Sequence, residues 1–124
     1  MRQIGEIVRR RSLVSVDPGM TVRAAAQLMA KEKIGALPVV KEGRLAGIFT
    51  ERDALVRVLA RGLDPDATSV AEVMTADPVT IDARRPLKHA LQMMVDGNFR
   101  HVPVVEGGSV VGMVSARDAL GTDA

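Results

Sequence analysis

The sequence predicts an α/β (α+β) protein made of two copies of one unit, because the chain repeats itself and both copies alternate strand and helix patterns in the same order. Shifted by 65 positions, Val14 to Leu55 aligns without a gap on Val79 to Leu120, and 14 of the 42 pairs are identical. The identities include prolines, glycines and charged residues as well as apolar ones. Such a repeat indicates a duplicated supersecondary unit.

Each copy is predicted to fold as strand, helix, strand, strand, helix. The first strand, LVSVD or PVTID, alternates apolar and polar residues. Thr21 can cap the following helix in copy one, whereas Pro86 suits the helix entry and Gly97-Asn98 the exit in copy two. Two strands joined by a tight turn come next, ALPVV-KEGR-LAGIF and HVPVV-EGGS-VVGMV. The last helix of copy one begins ERDAL and ends at Gly62.

The two repeats are expected at 4–62 and 70–124, joined by a linker at 63–69, within one module that covers 1–124. The short lead-ins IGEIV and VAEVM also match, offset by one further residue, so each repeat begins before its first strand. A unit of about sixty residues buries little surface alone. We therefore expect the copies to pack face to face about a pseudo-twofold axis, with a ligand site in the cleft between them.

Composition excludes several classes of protein. With no cysteine, the chain has no disulfide framework, thiolate metal site or cysteine nucleophile, and a cytoplasmic location is the default expectation. No apolar run is long enough for a membrane span or a signal peptide. A net charge of +2 and only two aromatics, Phe49 and Phe99, disfavour a nucleic-acid binder.

The most informative motif is the strand-to-helix corner, which reads G-h-x-[ST]-x-x-D from Gly47 to Asp53 and again from Gly112 to Asp118. One interpretation is a capping box, in which the hydroxyl and the acid cap the helix start. The other is a ligand site, since a helix start attracts phosphate and a fixed carboxylate can accept both hydroxyls of a ribose. The spacing alone leaves both interpretations open.

Around these corners the sequence resembles a tandem pair of CBS domains, also called a Bateman module. The resemblance rests on GALPVV with GIFTERDAL in copy one and RHVPVV with GMVSARDAL in copy two, and it covers nearly the whole chain. It implies a stand-alone regulatory module that binds AMP, ADP, ATP, NAD or S-adenosylmethionine in two symmetry-related clefts and acts on a partner protein.

The resemblance also implies roles for individual residues. The ribose would bind Asp53 with Thr50 nearby in one cleft, and Asp118 with Ser115 in the other. The adenine would be held by the first strand and the xxPV segment of the opposite copy. For the Asp53 cleft these residues are Val79, Thr80, Ile81, Arg100, His101, Val102 and Pro103. For the Asp118 cleft they are Val14, Ser15, Val16, Gly35, Ala36, Leu37 and Pro38.

The two predicted clefts differ in charge. Arg100 and His101 belong to the Asp53 cleft, where the other cleft has Gly35 and Ala36, so phosphate should prefer the Asp53 cleft. Without tyrosine or tryptophan, the base would be clamped by aliphatic side chains. The arginine before each corner aspartate is either a further phosphate contact directed toward the centre or a solvated surface residue; these two are Arg52 and Arg117.

Other candidates have simpler explanations. His89 is predicted to be a surface residue, because no ligand partner lies at metal-site spacing. Met29, Met93 and Met94 are predicted to pack in the core. The basic run Arg9 to Arg11 is interpreted as a solvated turn, with a phosphate or partner contact as the alternative. No Ser-His-Asp arrangement, Walker glycine loop or pair of acids beside a histidine can be assembled, so the chain is not predicted to be an enzyme, and the sequence requires no metal.

A homodimer is expected, because Leu55, Val56 and Leu59 need cover. The last helix of copy two, ARDALGTDA, is short, so the arrangement of the dimer stays open.

The sequence leaves three functions open. The leading one is a nucleotide sensor that signals to an unidentified effector protein. The second is a structural dimerisation or adaptor domain with empty clefts, and the third is a nucleic-acid binder that uses Arg9 to Arg11.

Overall fold

The computed structural model describes residues 2–120, and the chain divides into two compact units. Unit 2 runs from Val14 to Pro78, and unit 1 combines the chain up to Leu13 with the residues from Val79 onward. Each unit therefore contains the body of one sequence repeat and the lead-in of the other. The compact units and the predicted repeat boundaries are thus different divisions of the chain.

Both units contain a long helix, a two-stranded hairpin and a short helix in that order, but the lead-in helix precedes them in unit 1 and follows them in unit 2. In chain order, the elements are α1 (Ile4–Val8), α2 (Val22–Glu32), β1 (Ala36–Lys41), β2 (Arg44–Thr50), α3 (Glu51–Asp53), a π-helix (Ala54–Leu59), α4 (Val70–Val73), β3 (Thr75–Ala76), β4 (Ile81–Asp82), α5 (Leu87–Gly97), β5 (His101–Glu106), β6 (Ser109–Ser115) and α6 (Ala116–Ala119). This mixture of helix and strand confirms the predicted α+β class.

Each unit contains one three-stranded sheet built around an antiparallel hairpin. In unit 2 the order is β1-β2-β3, and both pairings are antiparallel. In unit 1 the order is β4-β5-β6, with a parallel pairing between β4 and β5. The hairpin turns place two residues at positive φ, Glu42 and Gly43 in one sheet and Gly107 and Gly108 in the other. That backbone is typical of type I′ turns, which match the twist of paired strands.

The long helices begin and end close to the predicted residues. Thr21 caps α2, since its hydroxyl accepts a hydrogen bond from the amide of Ala24 at 3.1 Å. Pro86 is the N-cap of α5, and Asn98 ends that helix in the left-handed conformation. Met29 and Met94 are buried in the cores of their units, which confirms their predicted packing role.

Each unit has its own apolar core between a long helix and a sheet. In unit 2, Leu37, Val39 and Phe49 from the hairpin are fully buried with Ala25 of α2. In unit 1, Val102, Val104 and Val114 are buried with Ala90 of α5, and Met93 packs against that cluster. Burying apolar area of this kind stabilises each unit by about 25 cal/mol per Å².

Three predicted elements differ in the structure. The first strand of copy one is reduced to a single parallel bridge between Val16 and Val39, and its counterpart β4 has two residues. The helix after β2 continues after three residues as the π-helix, where the amide of Ala60 donates to the carbonyl of Leu55 at 2.8 Å. The π-helix ends at Leu59, three residues before the predicted end at Gly62, which lies in the following turn at φ +70°. Residues 121–124 of the predicted last helix lie outside the described residues.

The lead-ins form the short helices α1 and α4, and each packs on the body of the other repeat. In unit 1 the amide of Gly5 donates to the carbonyl of Ala83 at 2.7 Å. In unit 2 the amide of Ala71 donates to the carbonyl of Pro18 at 3.0 Å. No helix between residues 2 and 120 has the length and apolar character needed to cross a membrane.

Candidate functional site

The corner of unit 2 is a complete capping box at the end of β2. Thr50 is extended, at φ −120° and ψ 165°, and the chain turns into α3 directly after it. The Asp53 Oδ2 accepts a hydrogen bond from the Thr50 amide at 3.0 Å, and the Thr50 Oγ1 accepts one from the Asp53 amide at 3.1 Å. These reciprocal bonds satisfy two donors at the helix start and fix the carboxylate, which is only 6% exposed.

The second oxygen of the same carboxylate is held loosely. The Thr75 Oγ1 donates to the Asp53 Oδ1 across 3.5 Å, and the Arg57 Nε lies 3.6 Å from it. Both distances exceed the usual range for a strong hydrogen bond. Arg57 is held mainly by backbone, because its Nη1 donates to the carbonyls of Met74 at 3.0 Å and Val73 at 3.3 Å. One oxygen of Asp53 is thus fixed, and the other is available for a closer partner.

The corner of unit 1 forms the same box between Ser115 and Asp118. The Ser115 amide donates to the Asp118 Oδ2 at 2.9 Å, and the Asp118 amide donates to the Ser115 Oγ at 3.4 Å. The carboxylate is buried here as well. Both predicted ribose-binding aspartates therefore have the geometry of a helix cap.

The unit 1 carboxylate has an additional cationic partner, Arg11. The Arg11 Nη2 donates to the Asp118 Oδ1 at 2.6 Å, and its Nη1 donates to Oδ2 at 3.0 Å. Two parallel bonds of this kind are the strongest arrangement between a guanidinium and a carboxylate. Arg9 pairs with Glu106 at 3.3 Å. Arg9 to Arg11 are exposed and lie in a turn, as predicted, but the sequence did not predict that Arg9 and Arg11 pair with acidic side chains.

These contacts set the protonation of Asp118. Burial raises the pKa of the carboxyl, but the hydrogen bonds from Arg11 and from the Ser115 amide outweigh it, so the pKa lies below its ordinary value of 3.8. Asp118 is consequently an anion at neutral pH with both oxygens bonded. The two corners share a motif but differ in how much of the carboxylate a ligand could reach.

The first glycine of each motif lies where the lead-in of the other repeat, which we call the exchanged lead-in, passes over the sheet. A Cβ on Gly47 would lie 2.6 Å from the Met74 Sδ, and one on Gly112 would lie 2.6 Å from the Val8 Cβ. No real Cβ tolerates such distances. This crossing brings Thr75 and Arg11 to the two carboxylates, and sequence reasoning missed both pairings. Arg57 could have been found, because its i,i+4 spacing from Asp53 is that of a helical ion pair.

The other predicted site residues are divided between the units. Unit 2 contains the Asp53 corner with the segments predicted for the Asp118 cleft, which are Val14, Ser15, Val16, Gly35, Ala36, Leu37 and Pro38. Unit 1 contains the Asp118 corner with the segments predicted for the Asp53 cleft, which are Val79, Thr80, Ile81, Arg100, His101, Val102 and Pro103. Within each unit the segment adjoins the corner, since the Glu51 amide donates to the Gly35 carbonyl and the Ala116 amide to the Arg100 carbonyl.

Burial limits which side chains could contact a ligand. Leu37 and Val102 are fully buried in the cores, so any contact from them would come from the backbone and not from an aliphatic clamp. Val79 is 53% exposed and remains available as a clamp. Arg52, Arg100 and Arg117 are exposed, and His101 is half-buried. His89 is exposed, as predicted, and residues 2–120 contain no group of three or more acidic or histidine side chains that could hold a metal ion.

Comparison with known proteins identifies the same duplicated domain. The CBS domain family model matches residues 4–60 and 70–123. The CBS domain-containing protein YhcV of Bacillus subtilis (strain 168) is 37% identical over 106 residues, which cover 86% of this chain and 75% of that protein. CBSCBSPB3 of Arabidopsis thaliana is 38% identical over 114 residues, 91% of this chain but 20% of that protein, so the chain spans about a fifth of this relative.

A solved structure shows the same fold. It is the CBS domain protein PAE2072 from Pyrobaculum aerophilum complexed with AMP, which matches with a TM-score of 0.86 and 30% identity. The match covers 94% of this chain and 89% of that one. Pairs of CBS domains are regulatory modules, and at least this neighbour holds an adenine nucleotide.

Proposed function

Because this chain belongs to the CBS-domain family, we propose that it is a regulatory module that binds an adenine nucleotide and holds the ribose at Asp53. The AMP complex of the Pyrobaculum aerophilum protein supports this ligand class. AMP, ADP, ATP and NAD share the adenosine group that the site would recognise, so any of them is a candidate. The module would act on an effector protein that the sequence does not identify, it would be located in the cytoplasm, and it would not be an enzyme.

The observation that carries the proposal is the half-engaged carboxylate of Asp53. Its Oδ2 is fixed by the Thr50 amide at 3.0 Å, while Oδ1 has polar partners only at 3.5 and 3.6 Å among residues 2–120. The two hydroxyls of a ribose are neighbouring donors, and a fixed carboxylate can accept hydrogen bonds from both. Burial makes such bonds stronger than they would be in water.

The remaining contacts of the Asp53 site are proposals carried over from the family resemblance. Arg52, Arg100 and His101 would contact phosphate, and exposure of both arginines is compatible with that role. The backbone of Val79 to Ile81 and of Val102 to Pro103 would contact the adenine. The Asp118 site is a second proposal of the same kind, and its Arg11 partner is treated below.

A second candidate function is structural dimerisation or an adaptor role without ligand. Two observations favour it: both corner aspartates are complete caps, and the π-helix exposes Leu55, Val56 and Leu59 by 58%, 51% and 73%. Apolar side chains this exposed are suited to covering by a second copy in a homodimer. A nucleic-acid role is disfavoured, because Arg9 and Arg11 are paired with acidic side chains.

Nucleotide titration separates the two candidates. Calorimetry and thermal melting with AMP, ADP, ATP and NAD should detect binding, and a ligand at 100 times its Kd should stabilise the fold by roughly 2.7 kcal/mol. Since the chain has no tryptophan or tyrosine, adenine released from the denatured protein would dominate the ultraviolet spectrum. 2′-Deoxy-AMP is the matched control ligand and should bind more weakly. No adenine release and no thermal shift at millimolar nucleotide would refute the sensor function.

A further inference from the structure

The ion pair between Arg11 and Asp118 joins two distant parts of the chain. Arg11 follows α1 in the exchanged lead-in, and Asp118 lies at the corner 107 positions later. The Asp118 side chain is 6% exposed and that of Arg11 is 39% exposed, so the pair lies at the edge of unit 1. A pair in this position is only partly screened by solvent.

Arg11 donates to the two carboxylate oxygens of Asp118 that would otherwise accept hydrogen bonds from a ribose. The Asp118 Oδ2 already accepts from the Ser115 amide at 2.9 Å and from the Arg11 Nη1 at 3.0 Å. Its Oδ1 accepts from the Arg11 Nη2 at 2.6 Å. A diol that donates to this carboxylate must therefore displace at least one bond of the guanidinium. The planar fork of arginine makes that displacement costly, because both bonds form together.

Within residues 2–120, no arginine makes an equivalent pair of bonds to Asp53. Arg57 approaches Asp53 only through Nε at 3.6 Å, while its Nη1 donates to two backbone carbonyls. The residue that the exchanged lead-in brings to Asp53 is Thr75, a neutral hydroxyl at 3.5 Å. The same motif is thus held by two short bonds from an arginine in unit 1, and by longer contacts from Arg57 and Thr75 in unit 2.

We propose that Arg11 is an internal competitor for ribose at Asp118, so that the chain takes one adenine nucleotide, at Asp53, and replacement of Arg11 opens a second site of the same ligand class. This inference rests on the proposed function, because it presumes that the corner aspartates bind ribose. It adds that the lead-in determines which corner is used and how many nucleotides bind.

The test is the stoichiometry of AMP binding by calorimetry in four proteins. The parent should bind one AMP per chain, and Arg11→Gln should bind two, with affinity at the Asp118 corner raised by about tenfold or more, the factor set by one hydrogen bond to a charged group. Arg10→Gln is the matched control, because it removes the same charge from an adjacent exposed residue, and it should bind one. The double variant Arg11→Gln, Asp118→Asn should again bind one AMP per chain.

Other outcomes overturn the inference in distinguishable ways. If the parent and Arg11→Gln both bind one AMP that Asp53→Asn abolishes, Arg11 does not compete and the proposed function stands. If the parent binds two AMP molecules, Arg11 does not prevent binding at Asp118. If Arg11→Gln binds AMP more weakly than the parent, Arg11 contacts the nucleotide and does not compete with it. If no protein binds AMP, the proposed function fails together with the inference. Should melting show that Arg11→Gln is unfolded, Arg11→Met removes the competing donors while keeping an unbranched side chain, and a single AMP on that variant would also refute competition.

Discussion

Replacing Asp53 with glutamate separates a helix cap from a ribose ligand. Glutamate is a preferred capping-box partner at this helix position, so the bond from the Thr50 amide, now 3.0 Å long, can be re-formed by the longer side chain. A residue that only caps should therefore tolerate Asp53→Glu. A residue that grips two hydroxyls should not, because their positions are set by the rest of the ligand.

The expected magnitude follows from the size of the change. One added methylene moves the carboxylate by about 1.5 Å, whereas hydrogen bonds tolerate variation of only about half an ångström. Losing a hydrogen bond to a charged group costs about 1.5 to 3 kcal/mol, which corresponds to a roughly 10- to 150-fold loss of AMP affinity. The melting temperature without ligand should hardly move.

The assay is AMP titration by calorimetry together with melting of the free protein. Asp118→Glu is the control, since Arg11 already engages that carboxylate, and it should leave AMP affinity unchanged. 2′-Deoxy-AMP should lose less affinity than AMP on Asp53→Glu, because it already lacks one hydroxyl. If Asp53→Glu binds AMP like the parent and melts at the same temperature, the carboxylate is a cap and the ribose assignment is wrong.

Further predictions concern phosphate, pH, packing and assembly. Arg100→Ala should weaken AMP far more than adenosine, and equal losses in calorimetry would show that Arg100 does not touch phosphate. Because folding lowers the pKa of Asp118, ionised Asp118 stabilises the fold above pH 3.8, and this contribution is lost as the pH falls through the pKa of the folded state. In urea unfolding, the free energy of unfolding should therefore fall less between pH 3.8 and that lower pKa for Asp118→Asn than for the parent. Gly112→Ala should destabilise by about 1–3 kcal/mol in chemical denaturation, since its Cβ would meet Val8, and an unchanged midpoint would contradict the crossing of the lead-in. Leu59→Glu should convert a dimer to a monomer in light scattering, and a parent that is already monomeric would refute the dimer.

Local features of the sequence were sufficient to predict most of the elements. The caps at Thr21, Thr50 and Ser115 depend on a side chain and an amide three residues apart, and hairpin turns depend on two adjacent residues. Such interactions form within one turn of chain, so spacing alone reveals them. The 65-residue repeat likewise determined that two similar units exist, because similar patterns bury similar faces. The roles of Asp53 and Asp118 as caps or ligands stayed open at that level.

Only the tertiary structure decided which segment packs on which body. The exchange of lead-ins brings Arg11 to Asp118 across 107 positions and Thr75 to Asp53 across 22, and no local pattern distinguishes these partners from others. Tertiary pairing also set the lengths of the first strands, which are a single bridge at Val16 in copy one and two residues in copy two, because an edge strand extends only as far as its partner is available. Two corners with one motif thereby acquired different electrostatics, since the charge beside each carboxylate comes from a segment distant in sequence.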